Sequence, residues 1–345
     1  YREQKRGGKG RSGMSTRDED VVRDVFVAST HAPVLFFTTK GIVYKLKVYK
    51  LPLGGPNSRG RPLVQLLPLD EGETISAVLP LPEDPAEWDN MNVMFATQSG
   101  NVRRNLLSDF SNVMANGKIA MKLSDGDALI GVELCEPGNH VLLATARARC
   151  IRFPIEEVRV FAGRNSTGNR GIDLASGDGV ISLSIIDGAE FVAEERDAYL
   201  KQSTAMRRGE PQTDSALPPE IFEEFRGREQ FILTLGSNGV GKRSSSYDYR
   251  VTRRGGKGIE LMSLDEGAEV VGAFPISDND GLVLVTNGGQ LIRCPVDEIR
   301  IARRSTRGVR IFDVANGDRV VSVSPLREQD EVSSSDLTEG SEVTE

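Results

Sequence analysis

The chain has 345 residues, 27% of them charged and 38% hydrophobic, a balance that fits a folded protein with a real core and excludes a disordered or collagen-like chain. No apolar run approaches the roughly 18 to 20 residues of a membrane-spanning helix. The start, Tyr1 to Gly13, is basic and polar without the apolar centre of a signal peptide. A cytoplasmic protein is expected, and because the sequence begins without Met it reads as part of a longer one. The net charge of −7 is carried by one tail, in which Glu328, Asp330, Glu331, Asp336, Glu339, Glu342 and Glu345 meet no basic residue. The sign of the total therefore says nothing about the rest of the chain; where the cations sit matters more.

In chain order, the first feature is Gln4-Lys5-Arg6-Gly7-Gly8-Lys9-Gly10, a flexible loop of cations and glycines able to lie against a phosphate backbone. RDEDVVRDVF from Arg17 then opens a unit that recurs. Each unit holds a hairpin signal: VLFFTTKGIVYKL, VMFATQSGNVRRN, VLLATARARCIRF, FILTLGSNGVGKR and LVLVTNGGQLIRC. Gly41, Gly100, Gly239 and Gly289 take the turn, where positive φ costs glycine little. Ala148 replaces glycine in the third hairpin, which predicts a different turn there. Each hairpin is followed by a glycine-led strand, marked by Gly72, Gly126, Gly177, Gly267 and Gly317 at separations of 54, 51, 90 and 50 residues. Asp20 stands at the glycine position in the degenerate first copy.

A period near 50 thus runs through the chain, interrupted by an insertion over 188–229. In the insertion AEERDAYLKQ predicts a helical turn or two, broken by Pro211, Pro218 and Pro219; a partly disordered surface excursion is expected. The apolar runs have strand length and are rich in Val, Ile, Leu, Phe and Thr. Each unit supplies about four short strands, the content of a propeller blade, which buries its faces only against neighbours. Five full units and the C-terminal half of a sixth are visible. The expected architecture is all-β, one domain over 1–327, followed by a disordered acidic tail over 328–345.

The cations recur in phase. Four residues after each turn position stands Lys45, Arg104, Arg152, Arg243 or Arg293. In a second register Arg59, Arg170, Lys257 and Arg307 immediately precede Gly60, Gly171, Gly258 and Gly308, and Lys9-Gly10 fits the same slot. One unit departs, with Asn116 before Gly117 and Lys118 after it. Equivalent positions of a repeat fall at equivalent radius and height, so these side chains are expected to line one curved track for a polyanion. Such a track contacts phosphates without reading bases.

The initial box recurs as Arg253-Arg254-Gly255-Gly256-Lys257-Gly258. It resembles the signature box of the C-terminal domain of DNA gyrase A, with Lys5 where Arg is usual; SRGRPLVQLLPL from Ser58, KVYKLP from Lys47 and DGDALIGVEL from Asp125 are similar to that family's blades. The related domain of topoisomerase IV shares the blades but lacks an intact box. The resemblance covers nearly the whole chain and implies a six-bladed β-pinwheel, closed flat or as a spiral, whose blades exchange strands. It implies chiral wrapping of double-stranded DNA, with the remainder of gyrase A and with gyrase B as holoenzyme partners, in support of ATP-driven negative supercoiling. It implies DNA-binding roles for Gln4, Lys5, Arg6, Gly7, Gly8, Lys9 and Gly10, and beside them Arg59, Arg61, Lys118, Arg253, Arg254 and the in-phase cations are expected to touch DNA. Lys5 keeps the charge of Arg but loses its bidentate fork. The second box is a departure from the family pattern. The cleavage tyrosine and ATP site lie in parts of the enzyme outside this chain, which is expected to be non-catalytic, monomeric and nucleoid-associated.

Other signals carry less. Gly236 to Arg243 nearly spells a phosphate-binding P-loop, but Arg243 replaces the hydroxyl residue and the segment aligns with a hairpin turn. Asn165-Ser166-Thr167 matches a glycosylation sequon without meaning in a cytosolic protein. Cys135, Cys150 and Cys294 form no CxxC pair and no ligand cluster with His31 and His140, so no metal and no cofactor are expected. Trp88 is expected to pack over a blade edge. The rival reading is a propeller that docks a protein partner, but such faces are aromatic and apolar, whereas aromatics are 6% here and the recurring polar feature is basic.

Overall fold

Strands buried on both faces read as continuous apolar runs rather than alternating ones, and this is what the hairpin segments become. In the computed structural model, residues 28–54, 60–189, 191–210, 217–288, 290–314 and 317–326 are described. The first unit holds β1 (Pro33–Thr38), β2 (Ile42–Lys47) and β3 (Ile75–Pro80); the second β4 (Asn92–Thr97), β5 (Asn101–Leu106), β6 (Lys118–Ile119) and β7 (Leu129–Cys135). The third holds β8 (Asn139–Thr145), β9 (Arg149–Pro154), β10 (Asn169–Arg170) and β11 (Val180–Asp187). After α1 (Ala193–Arg207) and α2 (Pro219–Arg228) come β12 (Phe231–Gly236), β13 (Val240–Ser245), β14 (Ile259–Glu260) and β15 (Val270–Ile276). The last unit holds β16 (Gly281–Thr286), β17 (Leu291–Pro295), β18 (Val309–Arg310) and β19 (Val320–Leu326).

The sheets are antiparallel and exchange strands. Their orders are β3-β1-β2-β6, β10-β5-β4-β7, β11-β8-β9-β14, β15-β12-β13-β18 and, with three strands among the described residues, β17-β16-β19. The short strands β6, β10, β14 and β18 each leave their own unit to complete the preceding sheet. Neighbouring sheets meet through β3, β7, β11, β15 and β19, which pack against one another in chain order. These strands therefore line the centre, and the exchanged two-residue strands form the outer edge.

Alternate residues of the first strand of a hairpin serve two different cores. Val93 and Phe95 face back to Leu35 and Phe37 in one cluster, while Met94 and Ala96 face forward to Val141 and Leu143 in the next. Leu142 and Ala144 then meet Ile232, and Leu233 and Leu235 meet Leu282 and Leu284. Each sheet is thus wedged between its neighbours, and its burial depends on both. Trp88 lies inside the first of these cores, its Nε1 donating to Pro82 O at 3.1 Å.

The hairpin turns are the same in all four described cases. The amides of Gly41, Gly100, Ala148 and Gly239 donate to Thr38 O, Thr97 O, Thr145 O and Gly236 O, and the four residues have φ of 77°, 85°, 56° and 74°. The different turn expected at Ala148 is not formed: alanine takes the left-handed conformation of the glycines, because the hydrogen bond and the neighbouring sheet hold it there. The insertion also differs from expectation. α1 has 15 residues rather than a turn or two, and Tyr199, Phe222, Phe225 and Tyr247 pack into a core of their own against the fourth sheet. Tyr199 and Phe225 stack with centroids 5.1 Å apart.

Candidate nucleic-acid interface

Between the second strand of a hairpin and the exchanged strand, the chain crosses the outer face of the preceding sheet. It is pinned there by a parallel bridge, Arg104 with Val160, Arg152 with Val251 and Arg243 with Ile301, and then forms a loop over 161–168, 252–258 or 302–308. Each loop closes on a left-handed glycine, Gly168, Gly258 or Gly308, with φ of 82°, 68° and 98°. A Cβ at these positions would come within 2.3 to 2.5 Å of a carbonyl oxygen of the sheet beneath. Only glycine lets the loop lie this close.

Interior cations hold the loops down. Arg103 is fully buried and donates from Nη1 to Arg164 O and Ser166 O at 2.6 and 2.9 Å, and from Nη2 to Ala120 O. Lys242, also fully buried, donates to Arg303 O, Arg304 O and Thr306 O, at 2.9 Å in the first case. Burial lowers the pKa of Lys242 to about 8 and that of Arg103 to about 10. The lysine of the near P-loop sequence is therefore an internal clamp within a hairpin.

The first in-phase register is corrected on the same ground. Arg152 and Arg243 are 3% and 4% exposed. Arg152 donates to Ser246 O, Tyr249 O, Asp187 O and His140 Nδ1. Arg243 donates to Ile299 O and Asp297 O and pairs with Asp278. Buried and hydrogen-bonded to carbonyls of their own and the next unit, both are structural clamps, and their expected DNA contacts are withdrawn. Arg104 is half-buried with an Nε that has no partner among the described residues, and Lys45 is half-buried with Nζ on Ser111 O. Burial, then the neighbouring charges of Lys47 and Lys118, lower the pKa of Lys45. Arg293 is exposed.

The second register is partly out of step. Gly168, not Gly171, is the counterpart of Gly258 and Gly308, since Asn169-Arg170, Ile259-Glu260 and Val309-Arg310 pair at equivalent places. The loop 161–168 is one residue longer than 252–258 and 302–308, and the match of Asn169-Arg170-Gly171 to the pattern is accidental. Asn116, Thr167, Lys257 and Arg307 are the residues that share the slot. Lys257 and Arg307 are exposed, as are Arg61, Arg170 and Arg253; Lys118 and Arg254 are half-buried. Arg254 donates to Glu157 O and Arg170 O. Gln4 to Gly10 and Arg59 lie outside the described residues.

A register the sequence reading missed also faces outward. Arg159, Arg250 and Arg300 directly precede the bridge residues Val160, Val251 and Ile301, and all three are exposed. The signal was present as an arginine between apolar residues: Val158-Arg159-Val160, Tyr249-Arg250-Val251 and Ile299-Arg300-Ile301. Arg303 repeats the exposed position of Arg253 one unit on. Several rim cations have carboxylate neighbours, Arg170 with Asp173 at 3.5 Å and Arg307 with Asp265 at 2.5 Å. Exposed pairs of this kind contribute roughly 0–1 kcal/mol, little enough for a phosphate to displace the carboxylate.

Comparison with known proteins agrees with this architecture. The family described as DNA gyrase C-terminal domain, beta-propeller matches residues 1–29, 32–82, 92–136, 139–187, 230–277 and 282–327, six segments that leave out the helical insertion. The DNA gyrase A protein of Rickettsia bellii is 49% identical over 308 residues, covering 87% of this chain and 34% of that protein. The gyrase A proteins of Granulibacter bethesdensis and Escherichia coli are 47% and 36% identical. The chain thus spans about a third of the length of the curated relatives it matches. Among solved structures, a DNA gyrase A C-terminal domain matches with a TM-score of 0.63 over 92% of each chain, and a DNA topoisomerase IV C-terminal domain with 0.66 over 86% and 79%. Both are 20% identical and speak to the fold. With five of the six matched segments each spanning one of the described sheets, the chain belongs to the DNA gyrase C-terminal domain family of β-propellers.

Proposed function

We propose that this chain binds duplex DNA along its outer edge, bends it and wraps it with fixed handedness, and that it does so as the non-catalytic wrapping part of a DNA gyrase. The observation that carries the reading is the row of exposed cations on loops at the outer edge of consecutive sheets: Arg159, Arg250, Arg253, Lys257, Arg300, Arg303 and Arg307. These side chains meet phosphates without base contacts, so the binding is independent of sequence. Bending duplex over tens of base pairs costs on the order of several kcal/mol, which many small contacts spread around a rim can offset. The names of the relatives support gyrase over the topoisomerase IV type. In the whole enzyme the partners are the rest of gyrase A and the separate gyrase B chain, and the wrapped segment is presented to the cleavage gate of an ATP-driven supercoiling cycle. Gln4 to Gly10 and Arg59, which lie outside the described residues, are further DNA contacts in this reading. The domain acts as a monomer in the nucleoid.

The test is topological. The chain is incubated with relaxed circular DNA and a nicking-closing enzyme, and the linking number is read after deproteinisation. A shift of one sign that grows with protein concentration is expected. Salt-sensitive binding without any shift would reject wrapping.

A further inference from the structure

We propose that the cleft formed by Arg149, Arg250 and Arg304 is a seat for one backbone phosphate of DNA, a specific subsite that rests on the wrapping reading above. The cleft has a volume of about 440 Å³ and lies where β14 joins the third sheet and Arg304 reaches over from the following loop. Arg149 and Glu260 pair directly across its outer edge.

The donors in the cleft are partly fixed and partly unused. Arg149 is held by Nη2 on Gly258 O at 2.8 Å and Nε on Lys257 O at 3.4 Å. Arg304 is held by Nε on Asp248 O at 3.1 Å, with its Nη1 buried and so out of reach of a ligand. Arg250 is exposed, and its guanidinium has no ion pair or hydrogen bond among the described residues. Of the two carboxylates in the cleft, that of Asp248 already accepts from Arg303 Nη1 at 3.1 Å and from the Arg304 amide at 3.3 Å. Glu260 is the second acidic residue lining the cleft, beside three arginines.

Planar guanidinium forks suit a phosphate better than a point cation does. A volume of this size admits a phosphate with its sugar, as in a strand passing through. The location selects DNA over a free phosphate. The seat lies between the loop of Arg253 and Lys257 and the loop of Arg303 and Arg307, so a strand crossing from one loop to the next runs over it. Two exposed arginines hold a lone anion weakly, whereas a phosphate tethered within a bound strand arrives at high effective concentration.

The experiment measures affinity of the 345-residue chain for duplex DNA as a function of salt. Arg250→Gln removes a side chain without partners among the described residues and leaves the fold intact, which a thermal melt verifies. Loss of one phosphate contact lowers the log–log slope by about 0.9. Between 50 and 200 mM salt the variant is then expected to lose affinity by roughly threefold to fourfold less than the parent. Glu260→Gln is expected to tighten binding. An unchanged slope in Arg250→Gln, beside a reduced slope in Lys257→Gln, overturns the seat and leaves wrapping standing. Absence of salt-dependent DNA binding in the parent chain overturns both. Saturable binding of inorganic phosphate that depends on Arg250, with no effect of Arg250→Gln on the DNA slope, assigns the cleft to a free anion and also overturns the proposal.

Discussion

Ala148 sits in a hairpin turn at φ 56°, a conformation that costs an L-residue roughly 1–2 kcal/mol. At the equivalent Gly41, Gly100 and Gly239 a Cβ would approach a carbonyl oxygen of the segment exchanged from the next unit to 2.4, 3.0 and 2.3 Å. Ala148→Gly is therefore expected to stabilise the fold. The unfolded chain gains freedom worth about 0.4–1 kcal/mol and the buried methyl is lost from its core at about 0.8 kcal/mol, which leaves a net gain below about 1 kcal/mol and a Tm less than about 2 °C higher. Calorimetry checks it. His140 gives a second prediction at this scale. It is 2% exposed and accepts from Arg152 Nε at 3.0 Å through Nδ1. Burial, then the charge of Arg152, lowers its pKa to about 4. The unfolded histidine takes a proton near pH 6.5 and the folded one does not, so the stabilisation is complete above that pH and is lost as pH falls toward 4. The linked loss reaches about 3 kcal/mol. His140→Gln is expected to flatten the fall of Tm between pH 7 and pH 4.5; an unaltered fall would show that other groups cause it.

At the scale of elements, the exposed loops depend on cations the solvent never meets. Lys242→Met leaves Arg303 O, Arg304 O and Thr306 O without their donor, a cost of about 1–3 kcal/mol. Amide exchange is expected to speed up over 303–309 while β12 and β13 stay protected. The hairpins, the marker glycines and the period of the sheets were legible in the sequence because turn chemistry is local and repeats. The direction of Arg152 and Arg243 was not. A repeat position fixes a common radius, but whether it lies inside or outside depends on the segment laid over it, which comes from the next unit. The single extra residue in 161–168 defeated the match at Arg170 for a related reason, since a three-residue pattern carries no register of its own. The helical insertion was underestimated because its aromatic residues, spread from Phe191 to Phe225, form a core with the distant Tyr247 only after the hairpin of α1 and α2 closes.

For the whole molecule, the inner clamps and the outer cations make separable predictions. DNA lies on the rim only if the sum of its contacts exceeds the cost of bending, which is on the order of several kcal/mol for tens of base pairs. Replacing Lys257 and Arg307 by Gln removes two exposed cations from adjacent loops without disturbing a buried group. The slope of affinity against salt is expected to fall by roughly 1.8 for two contacts. Because peeling begins where contacts are sparse, the linking-number shift is expected to shrink more than affinity does. Arg152→Met should act the other way round. It removes donors from Ser246 O, Tyr249 O and Asp187 O inside the fold and lowers Tm, yet at a temperature where the protein stays folded the salt slope is expected to match the parent. If Arg152→Met reduced the slope as much as the rim variant does, the two registers would share one role, and the division between inner clamp and outer track would be wrong.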